Sequence, residues 1–251
     1  MSANAASIDP ADVARFEALG EEGWSETGAM APLHRLNPLR IGWLLNVVQS
    51  RIPGERAPSL NGLTILDIGC GAGILAEPLS RLGADVLGID PAPGNIDLAR
   101  RHASEAGAPV RYRCASLEEI ADETARFDLV LAMEVVEHVR DVPGFIGRAC
   151  GLLRPGGVFI ASTLNRTLRS FALAIIGAEY VLRWLPAGTH RWEQFVTPEE
   201  LANMLRASGW REVARTGVVY SPIRRDWRLS LDVGVNYMMA ATRIAPIKPK
   251  S

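Results

Sequence analysis

Leu66-Asp67-Ile68-Gly69-Cys70-Gly71-Ala72-Gly73 is the stretch on which the fold turns. It closes the short apolar run Leu63–Ile68 and opens a run of helical spacing, Ile74–Leu82. Glycine at 69, 71 and 73 lets the backbone turn sharply and approach a ligand with no Cβ in the way. The next strand-like run, Asp85–Ile89, is followed at once by a second acidic landmark, Asp90. A carboxylate at the C-terminal end of a parallel strand can accept from both hydroxyls of a ribose.

Two ligands compete for such a loop. A dinucleotide site needs Gly-x-Gly-x-x-Gly and a helix N-terminus that receives a pyrophosphate. Here Ile74 stands where the third dinucleotide glycine belongs, and Asp67 would repel a pyrophosphate. The same charge favours a cationic, phosphate-free cofactor, and S-adenosylmethionine, with its sulfonium and ammonium, fits. A plain glycine-rich turn is the competing reading, and the paired acidic landmarks count against it.

Outward from the loop, short apolar or β-branched runs alternate with helical stretches. The strands are expected at Leu63–Ile68, Asp85–Ile89, Val110–Cys114, Phe127–Ala132 and Val158–Thr163. The helices are expected at Ile74–Leu82, Gly94–Ala106, Leu117–Ala121 and Pro143–Leu153. Strands buried on both faces and joined by crossover helices make a parallel α/β sheet. Upstream, helical spacing over Pro10–Leu19 and Pro38–Arg51 predicts a helical cap, with the Gly- and Pro-containing stretch 20–38 between. Downstream the alternation lapses until Thr197, an N-cap with proline at the first helical position of helix 198–207. Two more strands follow, at Trp210–Val219 and Val233–Thr242. The expectation is an α/β, Rossmann-like seven-stranded sheet, mostly parallel, with helices on both faces. Residues 1–60 are expected to form the cap, 61–251 the sheet domain, and 165–192 an insertion after strand five.

Composition closes off several function classes. The 251 residues carry 27 Lys plus Arg against 28 Asp plus Glu, a net charge of −1. That leaves no positive excess to drive nucleic-acid binding by counterion release. Three cysteines, Cys70, Cys114 and Cys150, are too few for a disulfide framework and lack Cys-x-x-Cys spacing. A reduced, cytoplasmic compartment is expected. The first 15 residues have no apolar core of a signal peptide.

The flanking segments carry a family resemblance. They are Leu33-His34-Arg35-Leu36-Asn37-Pro38-Leu39-Arg40, Met133-Glu134-Val135-Val136-Glu137-His138-Val139 and Ser162-Thr163-Leu164-Asn165-Arg166. The longest begins at Gly177-Ala178-Glu179-Tyr180-Val181-Leu182, passes Gly188-Thr189-His190 and Trp192, and reaches Pro198-Glu199-Glu200-Leu201; Asn236-Tyr237-Met238 closes the set. The glycine loop resembles class I S-adenosylmethionine-dependent methyltransferases in general. The chain as a whole resembles the ubiquinone-biosynthesis O-methyltransferases. It departs from them at Gly23-Trp24-Ser25, where the family usually shows Trp-Trp-Asp.

The resemblance implies that Gly69, Gly71 and Gly73 wrap the cofactor, with Asp67 beside them, and that Asp90 binds its ribose. It also implies that Arg40 holds the methionine carboxylate and that Met133 lies against the adenine. Many members of the fold place an acidic residue after strand three to read the adenine amine. Here it is Ser116, so adenine is expected to rest on backbone near Ser116 and Leu117. For Arg40, a solvated helix arginine is the competing reading.

The implied reaction is methylation of a hydroxyl on a polyprenylated catechol or hydroquinone, at two steps of ubiquinone biosynthesis. Glu134, Glu137 and His138 follow strand four, and on one helical turn their spacing would point them the same way. Two carboxylates and an imidazole suit Mg²⁺, which would align a catechol and acidify it. The alternative makes them an active-site wall with His138 as general base, assisted by Glu137. A C- or N-methyltransferase on another apolar molecule, or a non-catalytic cofactor- or quinone-binding protein, would share the cofactor half.

The expected partners are the polyprenylated phenol, an anionic membrane surface, other enzymes of ubiquinone biosynthesis, and no nucleic acid. Residues 165–192 hold Phe171, Leu173, Ile175, Ile176, Tyr180, Val181, Leu182, Trp184 and Leu185, with four arginines against Glu179 alone. Apolar and aromatic residues beside positive charge suit the interface of an anionic membrane. The protein is therefore expected at the inner face of the membrane as a peripheral component. A lid packed over the active site would use the same residues.

Overall fold

A computed structural model of the chain describes residues 8, 13–14, 24–25, 30–51, 59–171, 191–221 and 226–244. Its centre is one eight-stranded sheet in the order β3-β2-β1-β4-β5-β8-β6-β7. The strands are β1 (Thr64–Ile68), β2 (Asp85–Asp90), β3 (Val110–Cys114), β4 (Phe127–Met133), β5 (Leu153–Leu164), β6 (Trp210–Ser221), β7 (Asp226–Ser230) and β8 (Asn236–Arg243). β1 to β5 pair in parallel, whereas β8, β6 and β7 add on antiparallel. The strand order reverses between β1 and β4. In open α/β sheets that reversal leaves a crevice beyond the carboxyl ends of the strands, and ligands bind there.

Alternation along the strands sends side chains to two separate cores. On one face Leu66, Ile68, Phe145, Phe159, Leu201 and Tyr237 meet α5 (Val142–Gly151) and α6 (Pro198–Ala207). On the other, Ile65, Leu129, Leu131 and Met238 pack with α2 (Ala76–Arg81), α3 (Pro93–Glu105) and α1 (Ala31–Arg51). The short α4 (Leu117–Ile120) lies between β3 and β4.

Three expectations change. The sheet has eight strands rather than seven. The extra one, β7, is an edge strand whose residues are at most half-buried, so no apolar pattern announced it. Helix α1 begins at Ala31 and runs through Pro38, where helical spacing from Pro38 onward was expected. An interior proline costs a helix about 3 kcal/mol. Docking offsets that cost, because Leu36 is buried in the core and Asn37 donates to the Ile74 carbonyl at 2.7 Å. Finally, α1 is a layer of the sheet domain, with Trp43, Leu44, Val47 and Val48 in the shared core. Of the helix expected at Pro10–Leu19, Val13 and Ala14 are helical and the remainder lies outside the described residues. Most of the insertion 165–192 also lies outside them.

Candidate functional site

The loop after β1 is fastened to β2. The Gly69 and Cys70 amides both donate to the Ile89 carbonyl, at 2.8 and 3.0 Å. Gly69, Gly71 and Gly73 all have positive φ, at 68°, 53° and 89°, a region that side chains disfavour. Two of the three are also closed sterically: a Cβ at 69 would overlap Val135, and one at 73 would overlap the Tyr112 hydroxyl. At Gly71 a Cβ would meet nothing within 4 Å. Gly71 therefore borders open space, and its amide points back to Asp90 Oδ2 at 3.0 Å.

Asp90 ends β2 where it was expected. Its other oxygen accepts from the Ala92 amide at 2.9 Å and from Asn95 Nδ2 at 3.3 Å. Burial raises its pKa, and these donors pull it back. Three donors occupy a carboxylate with about four acceptor positions, so a ribose can enter by displacing the long Asn95 contact. Asp67 on β1 is 2% exposed, and its Oδ2 has no hydrogen-bond partner. Burial pushes its pKa up to about 7, with the Arg40 charge pulling it down and Asp90 pushing it further up. A buried carboxyl with one oxygen unpartnered, beside an open glycine loop, suits an ammonium group. The residues present thus fit S-adenosylmethionine.

On the adenine side, Met133 ends β4 half-buried, in register with Ser162 of β5. Ser116 caps α4, and its amide donates to Glu119 at 2.7 Å. That amide is committed to the cap, whereas Leu117, as the first residue of α4, has an amide without an intrahelical acceptor.

The segment after β4 departs from the expected helical turn. Glu134 has φ 59°, the one positive value outside glycine among the described residues, and a 3-10 turn, Val136–His138, follows. The Glu134 carboxylate meets Arg40 Nη2 at 2.5 Å, Ser162 Oγ at 2.8 Å and Asn236 Nδ2 at 3.1 and 3.3 Å. Glu137 turns inward, 2% exposed, and accepts from Thr163 Oγ1 at 2.8 Å. Burial first, and the Glu134 charge second, raise its pKa well above the usual carboxylate range. His138 is buried next to it. The expected Mg²⁺ set of Glu134, Glu137 and His138 is not assembled. No group of three or more His, Cys, Asp or Glu side chains among the described residues is placed to hold an ion. The backbone also differs from the expected helical turn, a left-handed residue being followed by a 3-10 turn, yet the Glu134 and Glu137 carboxyls stay close enough for the charge of one to act on the other.

Arg40 is brought to this site rather than left in solvent. It is 6% exposed on the inner side of α1, and its Nε is buried without a partner. Sequence reasoning gave no role to Ser162, Thr163, Tyr112 or Asn236. Asn236 was visible only within a quoted resemblance, and nothing in its own neighbourhood pointed to Glu134.

Residues 44–214 match the family model described as a methyltransferase domain. A magnesium protoporphyrin IX methyltransferase from Synechocystis, solved with SAM, shares the fold. Its TM-score is 0.61 at 17% identity, covering 96% of this chain and 100% of that one. The class is thus a methyltransferase on a Rossmann-like sheet.

The family within that class is equally plain. The ubiquinone biosynthesis O-methyltransferase of Azorhizobium caulinodans is 54% identical over 242 residues, 95% of each chain. That of Methylobacterium nodulans is 55% identical over 240 residues, 94% of this chain and 96% of the relative. The chain belongs to the ubiquinone biosynthesis O-methyltransferase family.

Proposed function

We propose that the protein methylates a phenolic hydroxyl of polyprenylated catechol and hydroquinone intermediates, at both O-methylation steps of ubiquinone biosynthesis, with S-adenosylmethionine as donor. The observation that carries this reading is the Gly71 loop, open on one side and bordered by Asp67, Asp90 and Arg40. When bound, the cofactor supplies a methyl group on a sulfonium that leaves as a neutral thioether. Asp67 holds the ammonium, Arg40 the carboxylate and Asp90 the ribose hydroxyls. Met133 and the Ser116–Leu117 backbone receive the adenine.

The reaction is an in-line displacement in which the phenolic oxygen bonds to the methyl carbon as the carbon–sulfur bond breaks. Alignment of the two reactants can lower the barrier by about 7–11 kcal/mol. His138 is the base that takes the phenolic proton, a contribution of roughly 10²–10⁴-fold. Glu137, buried and hydrogen-bonded by Thr163, assists as a neighbouring carboxyl.

The long isoprenoid tail argues for work at a membrane surface. Among the described residues no helix is long and apolar enough to cross a membrane. Leu168 is 81% exposed at the start of the insertion, and Phe171 is also exposed. Arg169 bridges at 2.7 Å to Asp232, next to the fully exposed Leu231. These residues extend the apolar, arginine-bearing segment 165–192 with a second loop. Peripheral attachment to the anionic inner face would also bring the protein to the enzymes that supply its lipid substrate.

The test is incubation with methyl-labelled S-adenosylmethionine and a short-prenyl catechol, read by mass spectrometry. Label on the catechol oxygen is expected. Label on carbon or nitrogen, or none with cofactor bound, would overturn the proposal.

A further inference from the structure

The Arg40–Glu134 contact is the tightest charged interaction in the site, yet the cofactor reading gives Arg40 a different partner. A buried guanidinium needs a carboxylate, since an unpaired charge in such a place is strongly destabilising. In this structure Glu134 is that carboxylate, at 2.5 Å from Nη2. Asp67 lies within the field of the same guanidinium, with one oxygen unpartnered. The fork is thus held at Nη2 by Glu134, while its Nε is buried without a partner.

Glu134 is supported independently of Arg40. Ser162 Oγ donates to its Oε1 at 2.8 Å, and Asn236 Nδ2 reaches both oxygens. These donors come from β5 and β8, whereas Arg40 comes from α1. A carboxylate that loses the arginine therefore keeps hydrogen bonds to the sheet. Glu134 also holds a left-handed backbone, a conformation that non-glycine residues disfavour and that persists only where the surroundings enforce it.

We propose that Glu134 occupies Arg40 in place of the cofactor's carboxylate, and that binding of the cofactor exchanges one carboxylate for the other. The exchange leaves Glu134 on Ser162 and Asn236, facing the acceptor side of the crevice. Cofactor binding would thereby complete the acceptor site, with Ser162 and Asn236 as the positioning residues that retain Glu134. The proposal rests on the reading that Arg40 binds the methionine carboxylate.

Calorimetry with two probes separates the claims. S-adenosylhomocysteine carries the carboxylate, whereas 5′-methylthioadenosine lacks the whole amino-acid arm. Removing the competitor in Glu134→Gln should tighten S-adenosylhomocysteine by roughly tenfold, within the usual span of coupling between sites, and leave 5′-methylthioadenosine unchanged. Unchanged or weaker S-adenosylhomocysteine binding in that variant overturns the exchange. If the variant does not fold, crystals of the wild-type protein with and without S-adenosylhomocysteine decide. The ligand's carboxylate on Arg40 with Glu134 withdrawn supports the proposal, and an intact Arg40–Glu134 pair beside bound ligand overturns it. Arg40→Gln tests the underlying reading alone: undiminished S-adenosylhomocysteine affinity there would remove Arg40 from the cofactor site altogether.

Discussion

The amide of Gly71 donates to the carboxylate of Asp90 at 3.0 Å, joining the loop after β1 to the end of β2. That hydrogen bond ties the cofactor loop, itself fastened to Ile89, to the acid expected to read the ribose, itself oriented by Ala92 and Asn95. The two residues were chosen from the sequence for separate reasons, and the fold makes them a unit.

Asp90→Ala is therefore expected to act twice, removing the ribose acceptor and releasing the Gly71 amide. Hydrogen bonds to a charged group are worth about 1.5–3 kcal/mol each, so S-adenosylhomocysteine affinity should fall by at least roughly tenfold. Calorimetry reads the loss, and circular dichroism should report an intact fold. Unchanged affinity would remove Asp90 from the cofactor site.

Asp67 gives the cofactor affinity a pH dependence. Its pKa is pushed up to about 7, from 3.8 for an ordinary aspartate. Unfolding would return it to the ordinary value, so its contribution favours the folded state below pH 3.8 and is lost as pH rises toward 7. The loss amounts to about 4 kcal/mol at most. An ammonium needs the ionised form, so affinity for S-adenosylhomocysteine should rise as pH is raised through 7. Titrations between pH 5.5 and about 8 should show the rise in the wild-type protein and a flatter profile in Asp67→Asn. Equal slopes would separate Asp67 from the ammonium.

Thr163 and Glu137 make a buried pair in which burial and the Glu134 charge push the acid toward its neutral form. Glu137→Gln keeps shape and neutrality, and thermal melting should change little at neutral pH. Thr163→Val removes the donor and leaves a buried carboxyl unsatisfied, at a cost of about 1–3 kcal/mol. A larger loss for the glutamine variant than for the valine variant would mean that Glu137 is ionised in the native protein.

Attachment to the membrane should depend on more than the insertion. Leu168→Ser and Leu231→Ser each remove an exposed apolar side chain, one from the short helical turn Leu168–Ser170 and one beside Asp232, which Arg169 of that turn bridges. Each should weaken flotation with anionic liposomes at low salt, and the pair should weaken it further, with cofactor affinity retained. Absence of flotation by the intact protein would refute the membrane proposal.

The parallel half of the sheet was legible because its strands are short apolar runs bounded by glycine and by helical periodicity. Helix 198–207 was legible from Thr197 and Pro198, and the structure bears this out with a capping box between Thr197 and Glu200. β7 was not legible. Its residues follow Pro222 and carry Asp226 and Arg228, and as an edge strand it buries too little to impose an apolar pattern.

The sequence by itself determined the alternation of strands and helices, the glycine loop with Asp67, and the place of Asp90 at the end of β2. All three rest on local geometry: side-chain period, the φ > 0 that glycine permits, and the residue that ends a strand. The tertiary structure alone decided what the charges meet. Arg40, Glu134, Ser162 and Asn236 lie on α1, at the end of β4, on β5 and on β8, and no periodicity relates them. The same holds for the metal set expected from Glu134, Glu137 and His138. Helical spacing would have aligned all three; in the structure Arg40 and two sheet donors hold Glu134, Thr163 holds Glu137, and no group of three ligands forms among the described residues.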